Sequence, residues 1–381
     1  MIDLELQSNR LSRLTLGTFL RQSMVSVPAR LGGLAQLLEE IAAACAQISE
    51  QVARATHQGA DRVLGEANES GDSVKELDRV ADEIFARRLE ESTFCAAFVS
   101  EERAEPHVLP DRDAAYLVAA DPLDGSSNIG CAIPVGTIFS VLPRADRTVV
   151  PTTADFLRRG RDLVAAGYVI YGPTTELVLS TGDSVHIFGL EPDRQWCLLK
   201  SDVRLPLRGG IYSINEANSP YWTPELVEWV EALKQRGYTQ RYVGSMVADV
   251  HRTLLKGGVF LYPGSVKQPE GKLRYLYEGA PMAFLFEAAD GRATTGARRL
   301  LDFVPEGIHQ KTPVILGGRR EVLELERALG QRAARRVRTG PGPGSRRGPQ
   351  RVRCAFELEG RQVTGKLELS PKSGKHQFVS S

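Results

Sequence analysis

Three things are scarce in this 381-residue chain, and each scarcity closes off a class of function. Cysteine comes first: Cys45, Cys95, Cys131, Cys197 and Cys354 are odd in number, widely spaced and without a C-x-x-C pair. That pattern excludes a disulfide framework or a cysteine zinc site and suits reduced thiols in a cytosol. Cys131 is expected to pack in the core, not to act as a nucleophile. Histidine is the second scarcity, with six residues and no cluster. Long apolar runs are the third. None reaches the ~18 residues needed to cross a bilayer, and Met1-Ile2-Asp3-Leu4-Glu5 lacks the basic and apolar regions of a signal peptide. A cytoplasmic protein with no membrane partner is expected.

What is present is ample. A hydrophobic content of 42% supports a core, and the length suits two domains or one large α/β unit. The net charge of +1 conceals an asymmetry. Residues 331–381 hold twelve Lys/Arg against three Glu, a local +9 that leaves −8 on the rest. An acidic body argues against nucleic-acid binding.

The densest signal is Asp121-Pro122-Leu123-Asp124-Gly125-Ser126-Ser127-Asn128. It follows Tyr116–Ala120, an apolar run short enough for a buried strand. Asp121 is therefore expected at the strand's C-terminal end, where open α/β sheets place ligands. Pro122 and Gly125 are expected to reverse the chain so that Asp124 swings back toward Asp121. Two carboxylates ~4 Å apart repel by ~4 kcal/mol at an effective dielectric near 20, a penalty that a divalent cation turns into binding. The Gly125, Ser126 and Ser127 amides and the two hydroxyls can grip a phosphate oxygen. A capped turn with solvated acids would explain a lone D-x-x-D-G, but not the whole octet.

Other acids converge on it. Cys95–Val99 reads as a second buried strand, ending in Glu101 and Glu102. Residues 57–71 read as a mobile loop leading into Asp72. Ser73 with Glu76 forms a capping-box pattern, so a helix is expected to start there and carry Asp78. Leu34–Arg54 keeps one face apolar at helical spacing. Leu163–Tyr171 and Leu177–Leu179 read as strands of a meander. Helices are expected at Pro224–Arg236, Ala248–Leu255 and behind Glu278, with a strand at Val259–Tyr262. After about Arg327 the pattern breaks. Arg335–Arg338 and Gly340–Arg347 read as a disordered basic linker, and Arg353–Leu369 alternates as a possible hairpin.

These blocks resemble one family. Gly71–Asp78, Val99–Glu102, the octet, Tyr212–Glu216, Arg241–Asp249 and Gly271–Glu278 are similar to the class I fructose-1,6-bisphosphatases, members of the metal-dependent sugar phosphatases. The resemblance runs from about Leu14 to about Leu325. It implies an α/β (α+β) layered sandwich of helices and mixed sheets in two halves, 1–200 and 201–327, with 328–381 as a tail beyond the family pattern. It implies Mg²⁺-dependent hydrolysis of the 1-phosphate of fructose 1,6-bisphosphate, giving fructose 6-phosphate and phosphate, with two to three ions per site, for which Mn²⁺ or Zn²⁺ can substitute. Hard oxygen donors suit Mg²⁺.

Roles follow from the same resemblance. Asp121, Asp124, Glu101 and Glu278 would hold the ion nearest the reacting phosphate, the Leu123 carbonyl would join a second, and Asp72 would help with a third. Asp78 and Glu102 would take the proton from the attacking water. Gly125, Ser126 and Ser127 would hold the reacting phosphate. Asn215, Tyr242, Tyr262 and Lys272 would anchor the remote phosphate, with Arg241 reaching in from another subunit of a homotetramer or dimer. Asn218 stands where animal members have a tyrosine. The Thr-Gly-Glu-Leu-Thr nucleotide grip of AMP-inhibited relatives reads Leu31-Gly32-Gly33-Leu34-Ala35 here, and their Lys-Tyr pair reads Ala115-Tyr116, so AMP inhibition is expected to be weak or absent. Pro143–Gly160 lacks the cysteine-bearing insertion of plastid relatives. Sedoheptulose-1,7-bisphosphatase activity stays open as an alternative, and a scaffold acting through the basic tail as a distant one.

Overall fold

The computed structural model describes residues 14–23, 33–57, 72–111, 113–338, 351–358, 361–368 and 377–380. The first segments are helices α1 (Leu16–Ser23), α2 (Leu34–His57) and α3 (Asp72–Glu91). Strands β1 (Cys95–Ser100), β2 (His107–Val108), β3 (Tyr116–Asp124), β4 (Val135–Pro143), β5 (Ala165–Tyr171), β6 (Thr175–Ser180), β7 (Val185–Leu190) and β8 (Trp196–Val203) follow. They build an eight-stranded sheet in the order β2-β1-β3-β4-β5-β6-β7-β8. Only the β1–β3 pair is parallel; the others are antiparallel.

The second half opens with β9 (Ile211–Ser213), α4 (Pro224–Gln235), β10 (Thr239–Gln240), α5 (Met246–Lys256) and β11 (Val259–Tyr262). It continues with β12 (Leu273–Arg274), α6 (Ala280–Ala288), β13 (Arg292–Thr294), β14 (Lys311–Thr312), β15 (Val314–Gly317) and α7 (Arg319–Arg338). Five of these strands form a second sheet, ordered β10-β9-β11-β15-β13.

Alternation along the strands explains the layering. On β3, Tyr116, Val118 and Ala120 join the core formed with α2 and α3, while Leu117 and Ala119 join the core formed with α5 and α6. On β11, Phe260 faces that same middle core, while Val259 and Leu261 pack with α4 and α7. Helices therefore cover both sheets on both faces, and strands buried on both sides read as continuous apolar runs. The expected layered sandwich is present, with five layers.

Three local expectations change. Helix α3 begins at Asp72, one residue ahead of the capping-box start assigned to Ser73. Strand β3 does not stop at Asp121 but runs on through Asp124. Cys131 is exposed, not in the core, because it ends the short 3₁₀ turn Ser126–Cys131 at the surface. The loop expected at 57–71 loses His57 to α2, which runs through it, and the rest of that loop and the linker at 340–347 lie outside the described residues. Helix α7 continues through Arg338, past the break expected near Arg327. Residues 331–381 form a separate unit. In it the expected hairpin pairs β16 (Arg351–Leu358) with β17 (Arg361–Glu368), and β18 (Gln377–Ser380) adds a third strand.

Candidate active site

A β-bulge, not a chain reversal, brings the two aspartates of the octet together. Asp121 pairs with Ile138 and Asp124 with Gly136, so three steps on β3 oppose two on β4. Residues three apart on a regular strand face opposite sides; the extra residue restores Asp124 to the face of Asp121. Thr137 pins the bulge by donating its hydroxyl to the Pro122 carbonyl at 2.7 Å. The turn comes one residue later, at Gly125, with φ of +78°. That left-handed conformation favours glycine.

Both carboxylates are held from the backbone. Asp121 accepts the Leu123 amide at 3.0 Å, and Asp124 accepts the Val247 amide of α5 at 3.2 Å. The parallel pairing of β1 beside β3 brings up Glu101, whose amide donates to the Ala120 carbonyl at 3.1 Å. Glu278 enters on the wide turn Tyr275–Gly279 before α6 and accepts the Arg274 amide at 2.5 Å. The Arg274 guanidinium pairs with Glu101.

Electrostatics tie these acids into one site. Burial raises the pKa of Asp121 well above the carboxylate range, and the Glu101 and Asp124 charges raise it further. Asp124 is pushed up to about 7 by burial, against the Val247 hydrogen bond and with added repulsion from Glu101 and Asp249. Glu278 is raised by burial, then by Asp124 and Glu101. Three buried carboxylates that resist ionisation, with Glu101 beside them and one arginine for cationic company, form an oxygen-only donor set that suits a hard divalent cation. Among the described residues no three His, Cys, Asp or Glu side chains are placed together so that they could hold a metal ion as they stand. Leu123 is buried at the bulge. The Asp72 side chain lies outside the described residues.

The expected base pair stands beside this cluster. Asp78, on α3, accepts the Ser126 hydroxyl at 3.1 Å. Burial pushes it up to about 7, with Glu102 and Glu101 adding repulsion. Glu102 is exposed, and partial desolvation, then repulsion from Glu101 and Asp82, raises it. Two acids, one on a helix and one after a strand, thus share a field that neither would feel alone.

The remote anchor is partly gathered. Asn215 and Tyr262 line a cavity of about 330 Å³ together with Asn218, Tyr221, Ser265 and Lys267. Burial raises Tyr242 to about 12, with Tyr262 adding to the rise, and Tyr242 is not among the residues lining this cavity. Arg241 and Lys272 are exposed and do not line this cavity. Sequence reasoning missed Lys267, whose ammonium lies 3.7 Å from the centre of the Tyr221 ring. It also missed Arg274, which sits two residues after Lys272 but gave no spacing signal pointing at Glu101.

Comparison with known proteins completes the description. Family models described as the N-terminal and C-terminal domains of fructose-1-6-bisphosphatase match residues 14–201 and 205–330. The class 1 fructose-1,6-bisphosphatase of Sorangium cellulosum is 44% identical over 322 residues, covering 82% of this chain and 92% of that protein. A cytosolic fructose-1,6-bisphosphatase of Arabidopsis thaliana is 42% identical over 326 residues, covering 84% and 95%. The crystal structure of Leishmania major fructose-1,6-bisphosphatase in holo form aligns with a TM-score of 0.76 at 36% identity, covering 84% of this chain and 99% of that one. Adjoining matches that together span 14–330, and an identity sustained across nearly the full length of these relatives, are more than a shared fold can account for: the chain belongs to the class 1 fructose-1,6-bisphosphatase family.

Proposed function

We propose that the carboxylate cluster around the β3 bulge binds Mg²⁺ and that the site releases the 1-phosphate of fructose 1,6-bisphosphate. As a member of its family the chain is a phosphoric monoester hydrolase acting on that sugar. The observation that carries the site assignment is the buried set Asp121, Asp124 and Glu278 with Glu101 beside it, raised together and adjoining the Gly125 turn.

Asp121, Asp124, Glu101 and Glu278 would hold the cation, with Asp72 and the Leu123 carbonyl serving further ions. Bound there, a divalent cation supplies charge neutralisation for the phosphate oxygens and acidifies a water. The chain's own groups do the rest. The Gly125, Ser126 and Ser127 amides and hydroxyls orient the reacting phosphate. Asp78, steadied by Ser126, acts with Glu102 to accept the proton of the attacking water, and a carboxylate raised toward working pH suits that task. The oxygen of water bonds to phosphorus as the sugar oxygen departs with the electron pair. Asn215, Tyr242, Tyr262 and Lys272 hold the other phosphate, and its binding energy positions the scissile one. Arg241 is exposed, as a residue serving a neighbouring subunit must be. In this division of labour residues 1–200 carry most of the reacting end, and 201–327 supply the anchor together with Glu278. A cytoplasmic setting is proposed from the Arabidopsis thaliana relative, which is named as cytosolic.

The experiment is phosphate release from fructose 1,6-bisphosphate and sedoheptulose 1,7-bisphosphate, with and without Mg²⁺. Metal-dependent turnover of the fructose substrate is expected. Near-normal turnover by Asp121→Asn refutes the site assignment.

A further inference from the structure

The Gly125 turn of the reacting end and the Arg241–Gly244 loop come from different halves of the chain, and the Asn128 side chain joins them. The Asn128 side-chain amide donates to the Gly125 carbonyl at 3.2 Å and to the Gly244 carbonyl at 3.3 Å. An amide nitrogen carries two hydrogens, so both bonds form at once. Gly125 belongs to the reacting turn, whereas Gly244 follows Arg241, Tyr242 and Val243 directly.

That loop is gripped again from behind. Asp249 is fully buried on α5. Its carboxylate accepts the Val243 amide at 3.1 Å and the Gly244 amide at 3.0 Å. Arg252 pairs with Asp249 and also donates to the Arg241 carbonyl at 2.7 Å. A buried carboxylate must keep its donors, so the loop cannot drift without leaving that charge unsatisfied. Gly244 adopts φ of +85°, a left-handed conformation that lets its amide face Asp249 while its carbonyl faces Asn128.

We propose that Asn128 and Asp249 are positioning residues that set the span between the two phosphate sites, so that remote-phosphate binding becomes correct placement of the reacting phosphate. The proposal rests on the assignment of Tyr242 to the remote phosphate. Neither residue is among those assigned to the cation, to the attacking water or to either phosphate. With Asn128 shortened, the remote phosphate still binds, but the reacting group is no longer delivered to a fixed point. The loss then falls on kcat more than on KM.

The test compares fructose 1,6-bisphosphate with fructose 1-phosphate, which lacks the anchor, at saturating Mg²⁺. Asn128 is half-buried, so Asn128→Ala is expected to fold, and its thermal unfolding is measured alongside. The wild type should prefer the bisphosphate in kcat/KM. Asn128→Ala should shrink that preference by about tenfold or more, through kcat. Asp249→Asn, which keeps an acceptor for the loop amides, should move the ratio in the same direction by less. Equal losses on both substrates mean a merely structural role and overturn the proposal, as does an unchanged ratio. A wild type that hydrolyses neither substrate instead overturns the site assignment, so the two failures are distinguishable.

Discussion

Thr137 and Pro122 are joined by a hydrogen bond of 2.7 Å across the bulge in β3, and the same hydroxyl lies 2.6 Å from the Tyr171 phenol. A residue on β4 thereby holds the kink that turns Asp124 onto the face of Asp121. Thr137→Val keeps the shape and removes the hydroxyl. It leaves a buried carbonyl without its donor, at a cost of about 1–3 kcal/mol. The expected result is a thermal midpoint lower by several degrees together with weaker Mg²⁺ dependence of activity. Unchanged stability and metal response would sink this role for the bulge.

Asp121→Asn should separate activity from stability. Loss of one donor at the centre of the cluster should cut turnover by about 100-fold or more. The same change removes a charge that burial, Glu101 and Asp124 all disfavour. The metal-free variant should therefore melt higher than the metal-free wild type, at roughly 2–4 °C per kcal/mol relieved. Calorimetry in the presence of a chelator decides it; a lower midpoint in the variant contradicts the repulsion argument.

Metal binding should depend on pH with a defined sign. Asp124 is raised to about 7 by burial, so between the ordinary carboxylate range and that value the folded chain keeps a proton the unfolded chain releases. Its contribution to stability is present at low pH and fades as pH climbs through about 7. A cation competes with that proton. The rise in thermal midpoint on adding Mg²⁺ should accordingly be larger at about pH 8 than at about pH 5.5. Equal shifts at the two values would count against carboxylate ligation.

AMP should inhibit weakly or not at all. Of the replaced nucleotide grip, Gly33, Leu34 and Ala35 are described, and Leu34 is buried in the core with α2. Gly33 has φ of +88°, and a side chain there would strike the Phe94 ring. Ala115 carries no cation to meet a phosphate. Inhibition at micromolar AMP in the purified enzyme overturns this expectation.

Removing residues 331–381 should leave turnover intact. Every residue assigned to the reaction lies within the unit that ends at Gly330. A large loss of kcat in the shortened chain would assign the basic unit a catalytic part, whereas loss of a binding partner alone would favour the scaffold reading for that segment.

Much of the site could be read along the chain because its groups come in short, ordered blocks. Asp121 and Asp124 lie three residues apart, Glu101 and Glu102 follow an apolar strand, and Asp78 lies on an evident helix. The geometry that unites them was less accessible. A bulge depends on the register between β3 and β4, which only strand pairing reveals, so the sequence pointed to a chain reversal through Pro122 and Gly125. Cys131 looked like core because its exposure is decided by where a 3₁₀ turn meets the surface. Lys267 and Arg274 carry no spacing signal, since their partners Tyr221 and Glu101 are remote in sequence or fixed by a turn.

Local chemistry was therefore the sequence's own contribution: which acids exist, which strands end in them, which glycine can turn left-handed, and which family these blocks resemble. Tertiary structure alone decided which acids meet, how far each is stripped of water, and how Asn128 ties one half to a loop that Asp249 braces in the other. The reason is physical. Hydrogen-bonding capacity and charge belong to each residue, whereas burial, repulsion and register are properties of pairs brought together only when the sheets and helices pack.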